Sequence, residues 1–242
     1  MKFLRTFLAG WIFVFLGTGT AAQAGDGKWK DEAELTIVDT SGNTNVSTLS
    51  AKNTLTVPIS GKTKGTWKLG ALYGKSDGEK NAESYFTEIR LDHSYTERFY
   101  SFGYGGWFKD RFSGIDARYY LGAGGGYKFF LGPKHFLLGE GGLTYTSEEY
   151  TDNTDNDFLG GRLFGKYEYH FNDKNKFTQS LELLADFSRF KNWNLNSETA
   201  IVSALNSWLS LKASYLVKYD NEPVGASKKT DRILGVALVA NF

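Results

Sequence analysis

Residues 83–95 read ESYFTEIRLDHSY, a segment in which two kinds of side chain alternate. A period of two is the mark of a β-strand, because successive side chains of a strand point to opposite faces. The charged parity indicates a face that meets water, and the apolar parity is typical of a face that meets lipid or a hydrophobic core. The apolar parity holds Tyr85, Thr87, Ile89, Leu91 and Tyr95, and the other holds Ser84, Glu88, Arg90 and Asp92.

The same alternation recurs in about twelve segments of roughly nine to thirteen residues, the length of tilted membrane-spanning strands. With 16% aromatic residues, 28 glycines and only 3 prolines, the composition favours strands and tight turns over helices. A single alternating strand also fits a soluble sandwich, so the repetition decides. We therefore predict an all-β protein, a closed antiparallel transmembrane β-barrel of about 12 strands. The clearest segments are Thr66–Gly74, Glu83–Tyr95, Leu159–Phe171, Phe177–Ser188, Leu209–Asp220 and Arg232–Phe242.

Aromatic residues crowd around alternate turns and predict two girdles at the membrane interfaces. Short connections at 96–98, 131–134 and 172–175 alternate with longer ones at 75–82, 149–156 and 221–231. This rhythm is typical of short periplasmic turns and longer external loops, so we expect both termini on the periplasmic side. The longer connection at 60–65 departs from it. The expected periplasmic girdle holds Tyr95, Tyr100, Tyr127, Phe129, Tyr169, Phe171 and Phe177, and the outer one Tyr73, Tyr85, Tyr119, Tyr145, Phe187 and Tyr219.

The first residues have the three-part layout of a secretory signal peptide. Lys2 and Arg5 precede an apolar run of about ten residues, half of what a membrane-spanning helix needs, and small residues lead to Ala24. We expect residues 1–24 to be a cleaved signal peptide and residues 25–242 to form a barrel in a Gram-negative outer membrane. Without Lys2 and Arg5, 26 basic residues remain against 27 acidic ones, so nucleic acid is not an expected partner. The chain has no cysteine, so packing and strand pairing must stabilise it.

The last residues of the chain alternate up to a terminal aromatic. Leu234, Val236, Leu238, Ala240 and Phe242 share one parity. A closing strand that ends in Phe resembles the C-terminal signal read by the barrel-assembly machinery. We expect that machinery, together with outer-membrane lipids and lipopolysaccharide, as partners.

Several short motifs make the chain similar to a known family. It resembles the YdiY-like family, whose members are described as salt-induced outer-membrane proteins and whose domain has no assigned function. The resemblance implies an outer-membrane location and a barrel fold, and it brings no catalytic residue or ligand. The motifs that carry it are Ser41–Thr44, Arg111–Ile115, Gly122–Tyr127, Tyr219–Pro223 and Lys228–Asp231.

Charges of both signs occupy the parity expected to face the lumen. No field of a single sign emerges, and no catalytic residue, cofactor or metal site is predicted. The expected lumen-lining charges are Glu88, Arg90, Asp92, Arg118, Glu140, Arg162, Lys166, Glu168, Glu182, Asp186, Lys212 and Lys218.

The hairpin around residues 172–175 predicts how two of these strands pair. If Asn172 pairs with Lys176, two opposite charges match across the strands, and a two-residue slip loses both matches. We therefore predict that register. The matched pairs are Lys166 with Glu182 and Arg162 with Asp186.

Glycines on two consecutive segments are expected to face the lumen together. They are Gly103 and Gly105 on the first, and Gly122, Gly124 and Gly126 on the second. We favour a role in bending the sheet, and the alternatives are room for a solute or side chains packed across them.

Two functions follow from the charged lumen. In the first, ion pairs fill and rigidify the lumen of an envelope-integrity component without enzymatic activity. In the second, the barrel is a narrow pore for small solutes, because about twelve strands lie between packed small barrels and open porins.

Two alternatives come from other classes of protein. A hydrolase would use His170 with Thr178 or Ser180 and Glu168, since a base, hydroxyls and an acid lie close in the predicted register. His93 and His135 do not join His170, which argues against a histidine metal site. A surface-binding protein would instead use the carboxylates of one external loop to hold a cation such as calcium. These carboxylates are Glu148, Glu149, Asp152, Asp155 and Asp157.

Overall fold

A computed structural model describes residues 29–40, 46–111, 114–222 and 229–242. Its strands form one antiparallel sheet in which β1 pairs with β12, so the sheet closes into a barrel. The prediction of a closed barrel of about 12 strands is confirmed. The strands are β1 (Lys30–Thr40), β2 (Val46–Pro58), β3 (Thr63–Ser76), β4 (Glu79–Ser94), β5 (Phe99–Asp110), β6 (Ile115–Leu131), β7 (His135–Tyr150), β8 (Asp155–His170), β9 (Asn175–Asp186), β10 (Trp193–Ala204), β11 (Leu209–Asp220) and β12 (Thr230–Asn241).

The expected signal peptide, residues 1–24, lies outside the described residues. Within the described ranges no helix is long and apolar enough to cross a membrane.

The two ends of the barrel differ in their connections. At the terminal end, where Asp31 and Phe242 exchange backbone hydrogen bonds of 3.1 and 2.8 Å, the connections are three or four residues long. These include 59–62, so the exception expected at 60–65 disappears. At the opposite end, called the far end, the long connection expected at 75–82 is wrong. There β3 and β4 run on to a two-residue turn at Asp77 and Gly78, whose φ angles of 50° and 85° suit a tight hairpin.

The far-end connection expected at 149–156 is also shorter, because β7 and β8 continue to a turn at residues 151–154. Strand pairing needs only backbone hydrogen bonds, so it continues where the alternation of side chains fades. The alternation of side chains therefore predicted strands that end too early at the far end.

The register predicted for β8 and β9 is wrong by two residues. The observed pairs place Arg162 opposite Leu184 and Lys166 opposite Ser180. The turn explains the difference, because the side chain of Asn172 accepts hydrogen bonds from the backbone N–H groups of Lys174 and Asn175. The hairpin is thereby closed by Phe171 and Asn175, one residue earlier on each strand than expected.

The outward face is apolar and ringed by aromatic side chains. At the terminal end Tyr169 contacts Phe171, with ring centroids 5.1 Å apart, and Tyr127 contacts Phe129 at 5.2 Å. Tyr100, expected in this girdle, instead points into the lumen and is buried. Its parity on β5 is that of the other inward rings.

The lumen as candidate functional site

The structure places the twelve charged residues expected in the lumen on the inward faces of their strands. Asp186 differs from the others, because its carboxylate accepts hydrogen bonds from the connection that follows β9. Ten of the others form ion pairs with inward side chains. The lumen is therefore built from contacts across the barrel as well as along its wall.

A chain of ion pairs crosses the middle of the lumen. Arg90 on β4 binds Glu140 on β7 through both terminal nitrogens, at 3.2 and 2.6 Å. Arg162 on β8 binds the same carboxylate at 2.8 Å. It also reaches Glu182 on β9 diagonally, with its Nε 2.6 Å from Oε1. Asp92 completes the chain by accepting from Arg90 at 2.7 Å.

The contact between Arg90 and Glu140 passes over two strands, since β5 and β6 lie between β4 and β7. Aromatic rings fill the space beneath it. The Arg90 guanidinium lies 4.3 Å from the Phe102 ring centroid, and the hydroxyl of Tyr100 donates to Glu140 at 2.7 Å. The face of an aromatic ring attracts a cation, so the guanidinium has a favourable contact for its charge although it is removed from water. We call the contact between Arg90 and Glu140 the arginine bridge.

Glycines let these rings lie flat against the wall. Gly126 is opposite Tyr100 and Gly122 is opposite Tyr104, and a Cβ at either position would overlap the ring. Packing across glycine, one of the expected alternatives, is thus what this region shows. The assignment of Gly103 and Gly105 to the lumen is wrong, because the inward parity of β5 belongs to its aromatic residues.

A second contact crosses the other side of the lumen. Lys212 on β11 binds Glu198 on the adjacent strand β10 at 2.8 Å and Glu34 on β1 at 3.3 Å. The latter passes over β12, whose inward side chain opposite Lys212 is the small Ala237. We call the contact with Glu34 the lysine bridge. Glu34 and Glu198 were missed as site residues, although their inward parity on charged strands was a usable signal.

Polar and apolar contacts occupy the space between the bridges. Lys68 binds Glu88 at 2.8 Å, and the Tyr120 hydroxyl donates to the same carboxylate at 3.2 Å. Leu216 on β11 packs against the buried pair Leu138 and Phe164 on β7 and β8, and so reaches past β9 and β10. Apolar side chains of strands that do not pair therefore touch inside the lumen.

Ion pairs also line both ends of the lumen. Near the far end Arg118 binds Glu148 at 2.5 Å. Near the terminal end Glu168 receives Lys166 at 2.6 Å and Lys176 at 3.5 Å. Lys218 is buried on the inward face of β11.

The residues of the hydrolase alternative do not form a catalytic arrangement. His170 lies 3.6 Å from Glu168, whose carboxylate is already paired with two lysines. In the described part of the chain no hydrogen bond joins His170 to Thr178 or Ser180. His93 and His135 instead contact girdle tyrosines, with centroids 5.0 Å from Tyr95 and Tyr169.

The acidic residues expected in one external loop are divided by the structure. Glu148 faces the lumen, and Asp152 lies in the turn, where Thr154 donates to it at 2.6 Å and lowers the pKa of its carboxyl. Asp155 and Asp157 belong to β8. Among the described residues no group of three or more His, Cys, Asp or Glu side chains is placed to hold a metal ion.

Comparison with solved structures shows the fold shared with outer-membrane barrels. The translocator domain of autotransporter NalP from Neisseria meningitidis aligns with a TM-score of 0.56 and 16% identity, over 90% of this chain and 88% of that one. The COG4313 outer membrane channel from Pseudomonas putida F1 aligns with a TM-score of 0.55 and 10% identity, over 88% and 94% of the two chains. At these identities the likeness concerns the fold alone.

Sequence comparison finds a relative with higher sequence identity. The chain is 34% identical over 195 residues to the uncharacterized protein YdiY of Escherichia coli (strain K12), covering 79% of this chain and 75% of that protein. The model of a family described as "Protein of unknown function, DUF481" matches residues 33–242. The chain therefore belongs to this DUF481 family of YdiY-like outer-membrane β-barrels.

Proposed function

We propose that the protein is a sealed outer-membrane barrel, an envelope component whose own ion pairs fill the lumen, without an open aqueous pore and without enzymatic activity. The observation that carries this proposal is the burial of the lumen charges. Glu140, Glu182 and Lys166 are 8%, 4% and 2% exposed, whereas the outward Leu121 is 68% exposed. The wall of an aqueous channel has to be accessible to water, so these values favour a packed interior.

Energetics also favour a lumen that stays closed. Removing one partner from a buried ion pair costs about 3–5 kcal/mol, because the remaining charge is left without compensation. In the central chain Glu140 on β7 binds both Arg90 on β4 and Arg162 on β8, so one carboxylate links two strands that do not pair with each other. Opening a passage would require several such contacts to break together.

We further propose the orientation and the export route. The terminal end, with its connections of three or four residues, faces the periplasm, and the far end faces outside. Residues 1–24 are removed on export, and the strand ending in Phe242 is the one presented to the assembly machinery. N-terminal sequencing of the membrane-bound protein tests the cleavage site, and deletion of Phe242 is expected to reduce the amount assembled.

Planar-bilayer recording tests the sealed barrel. The purified protein is expected to insert without conductance, and insertion is checked separately by resistance of the folded band to unheated SDS. A variant with Arg90, Glu140, Arg162 and Glu182 all changed to Ala is expected to conduct, because it removes the central chain. Stepwise openings from the unaltered protein, with an ion selectivity that changes in Arg162→Glu, would instead establish a narrow pore.

The envelope role has its own test in cells. A strain without the protein is expected to admit more of a large hydrophobic dye than the parent, and the unaltered gene should restore the barrier. The four-alanine variant should insert without restoring it. Equal dye uptake by parent and deletion strain would contradict an envelope function.

A further inference from the structure

The far-end rim of the barrel has a step. Asp186, the last residue of β9, pairs with Gly160, while β8 extends five residues farther to Asp155. Five residues correspond to about 17 Å of strand, or roughly 13 Å along the axis of a tilted barrel. The connection at residues 187–192 therefore leaves the barrel well below the β7–β8 turn.

This lower rim lies at the level of the aromatic girdle. Phe187 points outwards at the start of the connection, and the rings of Trp193 and Tyr219 lie 5.0 Å apart at its end. Girdle aromatics mark the depth of the lipid headgroups. Residues 188–192 are thus placed beside those headgroups.

The connection carries an exposed basic and aromatic cluster. Arg189, Phe190 and Lys191, together with Glu222, line a cleft of about 300 Å³. Phe190 is 83% exposed, an unusual position for a large apolar ring in water. Lys229 adds a further cation at this part of the rim, with its Nζ 3.3 Å from Oδ1 of Asn221, the residue before Glu222.

Hydrogen bonds hold the backbone of this cluster in place. The carboxylate of Asp186 accepts from the N–H groups of Ser188 and Arg189, at 2.7 and 3.2 Å. The side chain of Asn221 donates to the carbonyl oxygen of Lys191 at 2.9 Å. A connection fixed at both sides loses little conformational entropy when a ligand binds.

We propose that Arg189 and Lys191 bind the phosphate of a lipopolysaccharide molecule in the outer leaflet, while Phe190 inserts beside its acyl chains. A guanidinium matches a phosphate in bidentate geometry, and an ammonium adds a second charge. An exposed ring next to cations fits a ligand with an anionic head and an apolar tail. Glu222, 3.5 Å from Arg189, positions the guanidinium in the absence of the lipid. The inference rests on the proposed orientation, which places this rim outside.

Binding of purified lipopolysaccharide to the full-length barrel in detergent tests the site. Removing two surface cations is expected to weaken binding roughly 30-fold in the double variant Arg189→Ala and Lys191→Ala. The matched control is Lys62→Ala with Lys174→Ala, two exposed cations in connections at the terminal end. Equal affinity of all three proteins, or an equal loss in the control, would overturn the proposal.

Competition experiments identify what is recognised. Lipopolysaccharide stripped of its lipid A phosphates is expected to bind the unaltered barrel as weakly as the phosphorylated form binds the double variant. Inorganic phosphate at millimolar concentration should not compete, and EDTA should not release the lipid, because cations of the protein make the contact. Competition by free phosphate would show that the site binds a soluble anion and not the lipid. Release by EDTA would show that a bridging metal ion, and not the basic side chains, holds the lipid.

Labelling in cells separates this site from the orientation on which it rests. The chain has no cysteine, so Thr151→Cys introduces a unique thiol in the exposed far-end turn between β7 and β8, above the proposed lipid site. A membrane-impermeant maleimide is expected to label it in intact cells and to leave Lys174→Cys unlabelled. Labelling only at residue 174 would reject the orientation, whereas correct labelling without the affinity loss would reject the phosphate site alone.

Discussion

The arginine bridge and the lysine bridge both link strands that do not pair, but they do so with different cationic groups. Each passes over a strand with small inward residues, glycine on β6 and Ala237 on β12. Arg90 meets Glu140 with two nitrogens and lies on a ring, whereas Lys212 offers one ammonium group to two carboxylates. A planar guanidinium supports bidentate and stacked contacts together, and an ammonium group acts as a point charge.

The neighbours of the two bridges differ as well. Glu140 is shared by Arg90, Arg162 and Tyr100, so its loss leaves several groups unsatisfied at once. Glu34 has a second cation close by, because Lys52 is its register partner on β2. We infer that the arginine bridge stabilises the closed lumen more strongly than the lysine bridge.

Glu140→Ala should give the largest effect. It leaves two buried guanidinium groups without their shared carboxylate and is expected to lower the free energy of unfolding by about 4 kcal/mol. Urea unfolding in lipid vesicles measures this, and tryptophan fluorescence reports the transition. Glu140→Gln is the control, because it keeps the shape and an acceptor for Tyr100. A loss below that of the lysine bridge would contradict the ranking.

Lys212→Met should rank second and disturb the lysine bridge alone. Methionine fills a similar volume, but Glu34 and Glu198 lose their shared cation, which is expected to cost about 3 kcal/mol. Lys52 partly compensates Glu34, so the loss should remain smaller than for Glu140→Ala. The same unfolding measurement applies, with the exposed Lys62→Met as control. If the two bridge variants are equally destabilised, the second cation has no compensating effect.

The sequence predicted the faces of this molecule better than its contacts. Alternation such as that of residues 83–95 depends only on the solvent at each face, so it predicted the barrel and the parity of its charged residues. The inward face of β5 was more difficult to predict, because aromatic residues occupy both of its parities. Tyr100 was therefore assigned to the outward girdle. The partners of Arg90 and Lys212 depend on barrel closure, which brings together strands far apart in the chain.

Gly126→Ala tests the platform beneath the arginine bridge and should rank third. The new methyl group would overlap the Tyr100 ring and displace its hydroxyl from Glu140, at an expected cost of about 2 kcal/mol. Gly125→Ala is the matched control, since the nearest atom to its Cβ would be an ordinary 3.6 Å away on Phe99. Equal stability of the two variants would show that the ring can move without loss.

Asn172→Ala addresses the turn that sets the register of β8 and β9, and it should have the smallest effect. The alanine removes the acceptor for the backbone N–H groups of Lys174 and Asn175, which at an exposed turn costs about 1 kcal/mol. The exposed neighbour Asp173→Ala serves as control. The ion pair between Arg162 and Glu182 also favours the observed register. The two residues lie diagonally opposite each other in this pairing, and the two-residue shift would move them farther apart. A disulfide between cysteines placed at 163 and 183, neighbours in the observed register, should therefore still form in the alanine variant, with Glu182 intact. A cross-link between 165 and 183 in its place would mean that Asn172 alone determines the register, and that the ion pair between Arg162 and Glu182 does not hold it.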